Sequence, residues 1–211
     1  MAARNTTDGI SLTEQAEGGM SQVAGLLSRM RELAVQSSSG TLANAERNHL
    51  NTEFAALSSE IERISEATDF NGISITNGST TSVEVQVGIN NVAAVDRISV
   101  GLFNIGNTAL SVDTLNVATA ATAQAAIGGL DTAIGSVNSM RASVGAAQNR
   151  LNAALGQLEI SVETNSAAES RIRDADFATE TASLARQQVL NQAGISVLAQ
   201  ANTSPQLALQ L

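Results

Sequence analysis

Between Ile127 and Val162 the residues Ile127, Leu130, Ile134, Val137, Arg141, Val144, Gln148, Leu151, Leu155, Leu158 and Val162 recur in alternating steps of three and four. This heptad seam keeps one narrow stripe turned toward a partner helix. Two seam positions are polar, Arg141 and Gln148. Polar groups there cost stability and fix register. A helix of this length has no way to bury its own stripe, so the chain must supply partners.

Two further helical patterns lie upstream. The first runs roughly over residues 6–37, with Ala16, Met20, Val23, Leu27, Met30 and Ala34 as its seam and Leu26 and Leu33 widening it. Gly18-Gly19 weakens that helix locally by about 1 kcal/mol per glycine relative to alanine, and a close helix approach accounts for glycines at such a place. The pattern ends at Ser37-Ser38-Ser39-Gly40. Asn44 is the expected N-cap of the second helix, residues 45–67, whose seam is Leu50, Phe54, Leu57, Ile61 and Ile64. Glu60, Glu62, Arg63 and Glu66 fall off the seam and read as solvated. The short connection favours an antiparallel pair on which the third helix packs.

The period then changes from helix to strand. Asp69-Phe70-Asn71-Gly72 is a turn signal, and Ile73 and Ile75, then Val83, Val85 and Val87, then Ile98, Val100 and Leu102 alternate with polar residues. Asn77-Gly78 is the expected hairpin turn. Residues 104–123 lack periodicity and lead into the third helix near Ala120. After the polar stretch Glu163–Glu169, where a boundary is expected, a helical pattern resumes with Ile172, Ala175, Phe177, Leu184, Ala185, Val189, Leu190, Ile195 and Leu198. Pro205 is expected to close it. Leu207, Leu209 and Leu211 leave an apolar tail with nothing after it to cover it, which points to a partner.

Composition agrees with thin seams rather than a broad core. The 211 residues contain four Phe and no Tyr, Trp, Cys or Lys; all 11 basic residues are arginine, and the formal net charge is −9. The acidic balance disfavours nucleic acid, no apolar run is long enough to span a membrane, and no secretory leader is visible at the start.

The chain offers little chemistry. His49, with Glu46 and Glu53 on the same helix, is half a metal site at most, and one histidine without cysteine falls short of a zinc ligand set. Asp174 and Asp176 do not share a helix face and read as charges near a helix N-terminus. Gly18-Gly19 and Gly128-Gly129 lack the strand–turn–helix context of phosphate loops. Three sequons begin at Asn5, Asn77 and Asn202. Arg29, Arg31 and Glu32 form a charged cluster that reads as a solvated face. No catalytic, cofactor or metal site is expected. The fold class is mainly α: an elongated antiparallel helical bundle or coiled-coil rod with a small β-hairpin element and a C-terminal helix. Rods that join head to tail without closing a ring form helical filaments.

Several runs resemble bacterial flagellin. They are Met30-Arg31-Glu32-Leu33-Ala34-Val35-Gln36-Ser37, Thr68-Asp69-Phe70-Asn71-Gly72, Val83-Glu84-Val85-Gln86-Val87-Gly88, Ala146-Ala147-Gln148-Asn149-Arg150-Leu151, Ser170–Glu180 and Gln192–Asn202. The resemblance implies a secreted, extracellular structural subunit that assembles into the flagellar filament for motility. It implies a rod domain over residues 1–170, with its β-hairpin at about 72–102, and a C-terminal inner helix over 171–211. It implies two further partners. An export chaperone would hold the last helix, and Phe177, Leu184, Val189, Leu190, Ile195, Leu198, Leu207 and Leu209 would make chaperone and filament contacts. A flagellin-sensing Toll-like receptor would contact Arg29, Leu33 and Glu53. Measured against the family, the N-terminal inner helix and the start of the first rod helix are missing, as are the outer variable domains, so this chain alone is not expected to polymerise. A hook–filament junction protein and a flagellin-like cell-surface binding protein are the alternatives.

Overall fold

The computed structural model describes residues 1–173 and 177–208, with side chains through residue 201. The elements in order are α1 (Ala2–Ser38), α2 (Asn44–Ala67), β1 (Asp69–Phe70), β2 (Ile73–Ser74), β3 (Ser82–Gln86), α3 (Ala93–Asp96), β4 (Arg97–Gly101), α4 (Ala120–Arg173) and α5 (Phe177–Ala208). They fall into two compact units, Met1–Ile160 and Ser161–Leu211.

In the first unit α1 pairs antiparallel with both α2 and α4. Against α2, a side chain at Gly19 would meet Thr68, Arg29 bonds Glu53, and Arg47 bonds the carbonyl of Ser37. Against α4, Gly9 lies by Leu151, Glu17 bonds Arg141 and Arg31 bonds Asp131. In both series the numbers rise on one helix as they fall on the other. The close approach expected at Gly18-Gly19 falls on Gly19 alone: a Cβ there would lie 3.1 Å from Thr68 Oγ1, just past the end of α2, whereas Gly18 faces open space.

The α1 seam is as expected: Ala16, Met20, Val23, Leu27, Met30, Leu33 and Ala34 are fully buried. From α2, Phe54, Ile61 and Ile64 join the same core, with Leu50 and Leu57 half-buried beside it. The α4 seam needs correction. Leu130, Val137, Val144 and Leu151 are buried as expected, but the positions between them are filled by Ala126, Ala133 and Ala147, while Ile127, Ile134 and Gln148 are half-buried flanks. The heptad is real and its second line is shifted by one residue. Alanine at that line lets the helix axes come close, and the larger isoleucines cover the edges. Beyond Leu151 the stripe emerges: Leu155 and Leu158 are half-buried and Val162 is exposed.

Helix ends also differ from expectation. Ala43, in extended backbone, precedes α2; Asn44 is inside its first turn, where its side-chain oxygen accepts from Arg47 Nη1 at 3.3 Å. The buried Arg47 instead closes the end of α1, donating to the carbonyls of Ser37 (2.9 Å) and Ser39 (2.7 Å). The polar stretch Glu163–Glu169 does not interrupt α4. Pro205 does not close α5, which continues to Ala208. A proline removes one backbone hydrogen bond, and so near a helix end there is little downstream to misalign. Asp174, Asp176, Leu209 and Leu211 lie outside the described residues.

The β region consists of two antiparallel two-stranded sheets, β1–β2 and β3–β4. The tight hairpin turn is Asn71-Gly72, not Asn77-Gly78. Both residues have positive φ, 51° and 77°, the signature of a type I′ turn, and they join the pairs Asp69↔Ser74 and Phe70↔Ile73. Asn77-Gly78 has no paired strands on its two sides; Asn77 Oδ1 accepts from the Ser79 N–H in a local turn. β3 and β4 pair Val83↔Val100 and Val85↔Ile98, which sets Val85, Ile98 and Val100 into the core. Their connection closes on buried Asp96, whose carboxylate accepts from the Val92 N–H at 3.0 Å. Ser65 and Thr76, both buried, each donate a hydroxyl to the other's carbonyl, at 2.8 and 2.9 Å. Glu62 is not a free solvated charge; it accepts from the Asn107 N–H at 2.8 Å and anchors the descending loop.

Candidate functional site

Two surfaces carry the expected contact residues. The first is a charged patch across α1 and α2. Arg29 stands one turn from Glu32, and Nη1 donates to Glu32 Oε2 at 2.9 Å. Across the helix pair, Nε and Nη2 of Arg29 both donate to Glu53 Oε1, at 3.0 and 2.8 Å. The hydrogen bonds that Arg29 donates, to Glu32 first and then to Glu53, raise its pKa above the ordinary guanidinium range. The side chains stay about half exposed, 49% for Arg29 and 44% for Glu53. Sequence reasoning saw Arg29 and Glu32 as a cluster but not the bond to Glu53, which only the antiparallel packing reveals.

Leu33 does not belong to this surface. It is fully buried in the core, because α1 uses it together with Met30 and Ala34 against its partners. The side chains that the patch presents to solvent are those of Arg29, Glu32 and Glu53. Arg31 points elsewhere, to Asp131 of α4 at 2.6 Å.

The second surface is α5. Phe177 is 82% exposed, and Leu184, Val189, Leu190, Ile195, Val197 and Leu198 are all exposed. These residues lie on several sides of the helix, so no single stripe collects them, and their apolar area is uncovered in the chain by itself. Ordinary monomers do not leave such area open. Leu207 lies within α5, with its side chain outside the described set.

His49 is exposed, and among the described residues no group of three or more His, Cys, Asp or Glu is placed to hold a metal ion. No helix among them is long and apolar enough to cross a membrane.

Comparison with known proteins matches residues 1–81 to the bacterial flagellin N-terminal helical region and residues 127–211 to the bacterial flagellin C-terminal helical region. The chain is 43% identical over 212 residues to a flagellin of Halalkalibacterium halodurans, a match that covers all of this chain and 77% of that protein. The crystal structure of Bacillus cereus flagellin is similar, with a TM-score of 0.66 and 32% identity over 74% of this chain and 88% of that one. A flagellar hook-associated protein of Vibrio parahaemolyticus shares the fold alone, with a TM-score of 0.62 at 17% identity over 79% of this chain and 89% of that one.

Proposed function

The chain belongs to the bacterial flagellin family and is a structural subunit of the extracellular flagellar filament, and on that premise we propose how its surfaces divide the work. The 177–208 helix is the inner, filament-building element, and the helical unit before it is the rod. The observation that carries this reading is the set of exposed apolar side chains on α5, from Phe177 to Leu198. Burying a side chain such as Leu190 or Leu198 gains about 1.5–3 kcal/mol each, so neighbouring subunits that cover this helix supply a strong drive to assemble.

The same area is a hazard before assembly. An export chaperone that holds Phe177, Leu184, Val189, Leu190, Ile195 and Leu198, with Leu207 and Leu209 beyond them, prevents premature association. The Arg29–Glu53 patch is the candidate contact for a flagellin-sensing Toll-like receptor, since it presents both signs of charge in a fixed geometry. The hook–filament junction reading is weaker, because the hook-associated relative shares only the fold.

Seeded growth tests the assembly reading. Short filament fragments, which supply the growing ends that the chain alone is not expected to make, are incubated with the parent chain or with Leu190→Asp/Leu198→Asp and inspected by electron microscopy. Elongation by the parent and none by the variant is expected; equal elongation by both would remove α5 from the assembly surface.

A further inference from the structure

We infer that this chain is built to hold its fold and surface charge in an alkaline medium, through ion pairs whose cations are all arginine. The groups that titrate in the alkaline range are the cysteine thiol, the tyrosine phenol, the lysine ammonium and the chain's amino terminus, at about 8.5, 10, 10.4 and 8 respectively. This chain has no Cys, Tyr or Lys. Its side-chain charge therefore stays at −9 from neutral pH until the arginines begin to titrate above about pH 12. With lysine at the same 11 positions, the chain would move toward −20 as the ammonium groups lost their protons, leaving the 20 carboxylates unbalanced.

The arginines are placed where that loss would matter. Arg31 on α1 faces Asp131 on α4, with Nε 2.6 Å from Oδ1. Arg141 on α4 faces Glu17 on α1, with Nη2 2.7 Å from Oε1. Arg97 on β4 faces Glu84 on β3 at 3.2 Å, and its other nitrogens reach Gln86 and Asn91. Each pair joins two elements of the first unit. Deprotonating the cation would leave Asp131, Glu17 or Glu84 as an unpaired carboxylate on an already acidic surface. Arg47 is the buried case: its guanidinium donates to the carbonyls of Ser37 and Ser39 that end α1. A lysine ammonium there would lose its charge first, because burial lowers its pKa.

Helix melting by circular dichroism at about pH 8 and pH 11.5 tests the inference on the full chain and on Arg31→Lys/Arg97→Lys/Arg141→Lys. The parent is expected to melt at the same temperature at both pH values within about 2 °C. The triple variant is expected to be folded at the lower pH, with its gap to the parent widening by about 5 °C at the higher one. Arg47→Lys, measured in the same way, is expected to show the same widening. A parent that loses its helical signal between the two pH values would overturn the inference, as would gaps that are the same at both.

Discussion

Arg141 and Glu17, 124 residues apart, share a two-pronged bond: Nε and Nη2 of the arginine both reach Glu17 Oε1, at 2.8 and 2.7 Å. Arg141 lies on the half-buried flank line with Ile127, Ile134 and Gln148, where its charged end reaches across to α1 beside the buried seam. The pair is partly exposed, so its stabilisation is modest. In a double-mutant cycle, Arg141→Ala and Glu17→Ala should each lower the melting temperature by about 1–3 °C, with the double variant no worse than either single one. Additive losses would show that the two side chains act independently.

The glycines of α1 divide by what faces them. A Cβ at Gly9 would lie 2.9 Å from Val85 Cγ2 and 3.1 Å from Cγ1, with Leu151 Cδ1 at 3.4 Å. Gly9→Ala should therefore destabilise by about 1–3 kcal/mol, since Val85 is held in the β3–β4 pairing. Gly18 and Gly25 face open space, and alanine at either should stabilise by about 0.5–1 kcal/mol through helix propensity. Urea unfolding of the three variants checks both signs.

The acid limb of stability has an identifiable contributor. The hydrogen bond from Arg31 holds the Asp131 carboxyl below the usual carboxylate range, and Arg63 does the same for Glu60. A depressed carboxylate stabilises the fold above its unfolded value, about 3.9 for Asp, and loses that contribution as the pH falls through the lower folded value. Asp131→Asn should flatten the loss of melting temperature below about pH 4, where the parent still carries the pair, and leave the slope between about pH 5 and 8 unchanged. Melts across that range measure it.

Exposed patch and buried support should separate in a receptor assay. Arg29→Ala and Glu53→Ala are expected to lower signalling in cells bearing the flagellin-sensing receptor while leaving the circular dichroism melt within a few degrees of the parent. Leu33→Ala removes a fully buried side chain and should cost about 2–5 kcal/mol of stability. Any signalling loss in that variant then tracks unfolding. Full signalling by Arg29→Ala would take the patch out of the contact.

Much of this was legible in the chain, for physical reasons that also mark where reading stops. The seam of α1 and the positions Leu130, Val137, Val144 and Leu151 stood out because large apolar residues recur with the helical period. Ala126, Ala133 and Ala147 did not, because alanine carries little hydropathy signal and its value lies in the closeness it permits. Asn71-Gly72 and Asn77-Gly78 are the same dipeptide. Which of them turns a hairpin depends on whether strands exist to pair on both sides, a tertiary fact. Arg47, Glu62 and Asp96 look like ordinary surface charges in sequence and become anchors only when a particular loop or helix end meets them. Leu33 and Ala34 were both legible as members of the apolar stripe of α1, and both are buried.

Hydrogen–deuterium exchange over residues 177–201, compared between the free chain and filaments that have incorporated it, measures the central claim most directly. Apolar side chains left uncovered in the chain and covered by neighbouring subunits should give fast exchange along α5 in solution and strong protection in the filament, with little change at the α1 seam from Ala16 to Ala34. Equal exchange of α5 in both states would contradict the account.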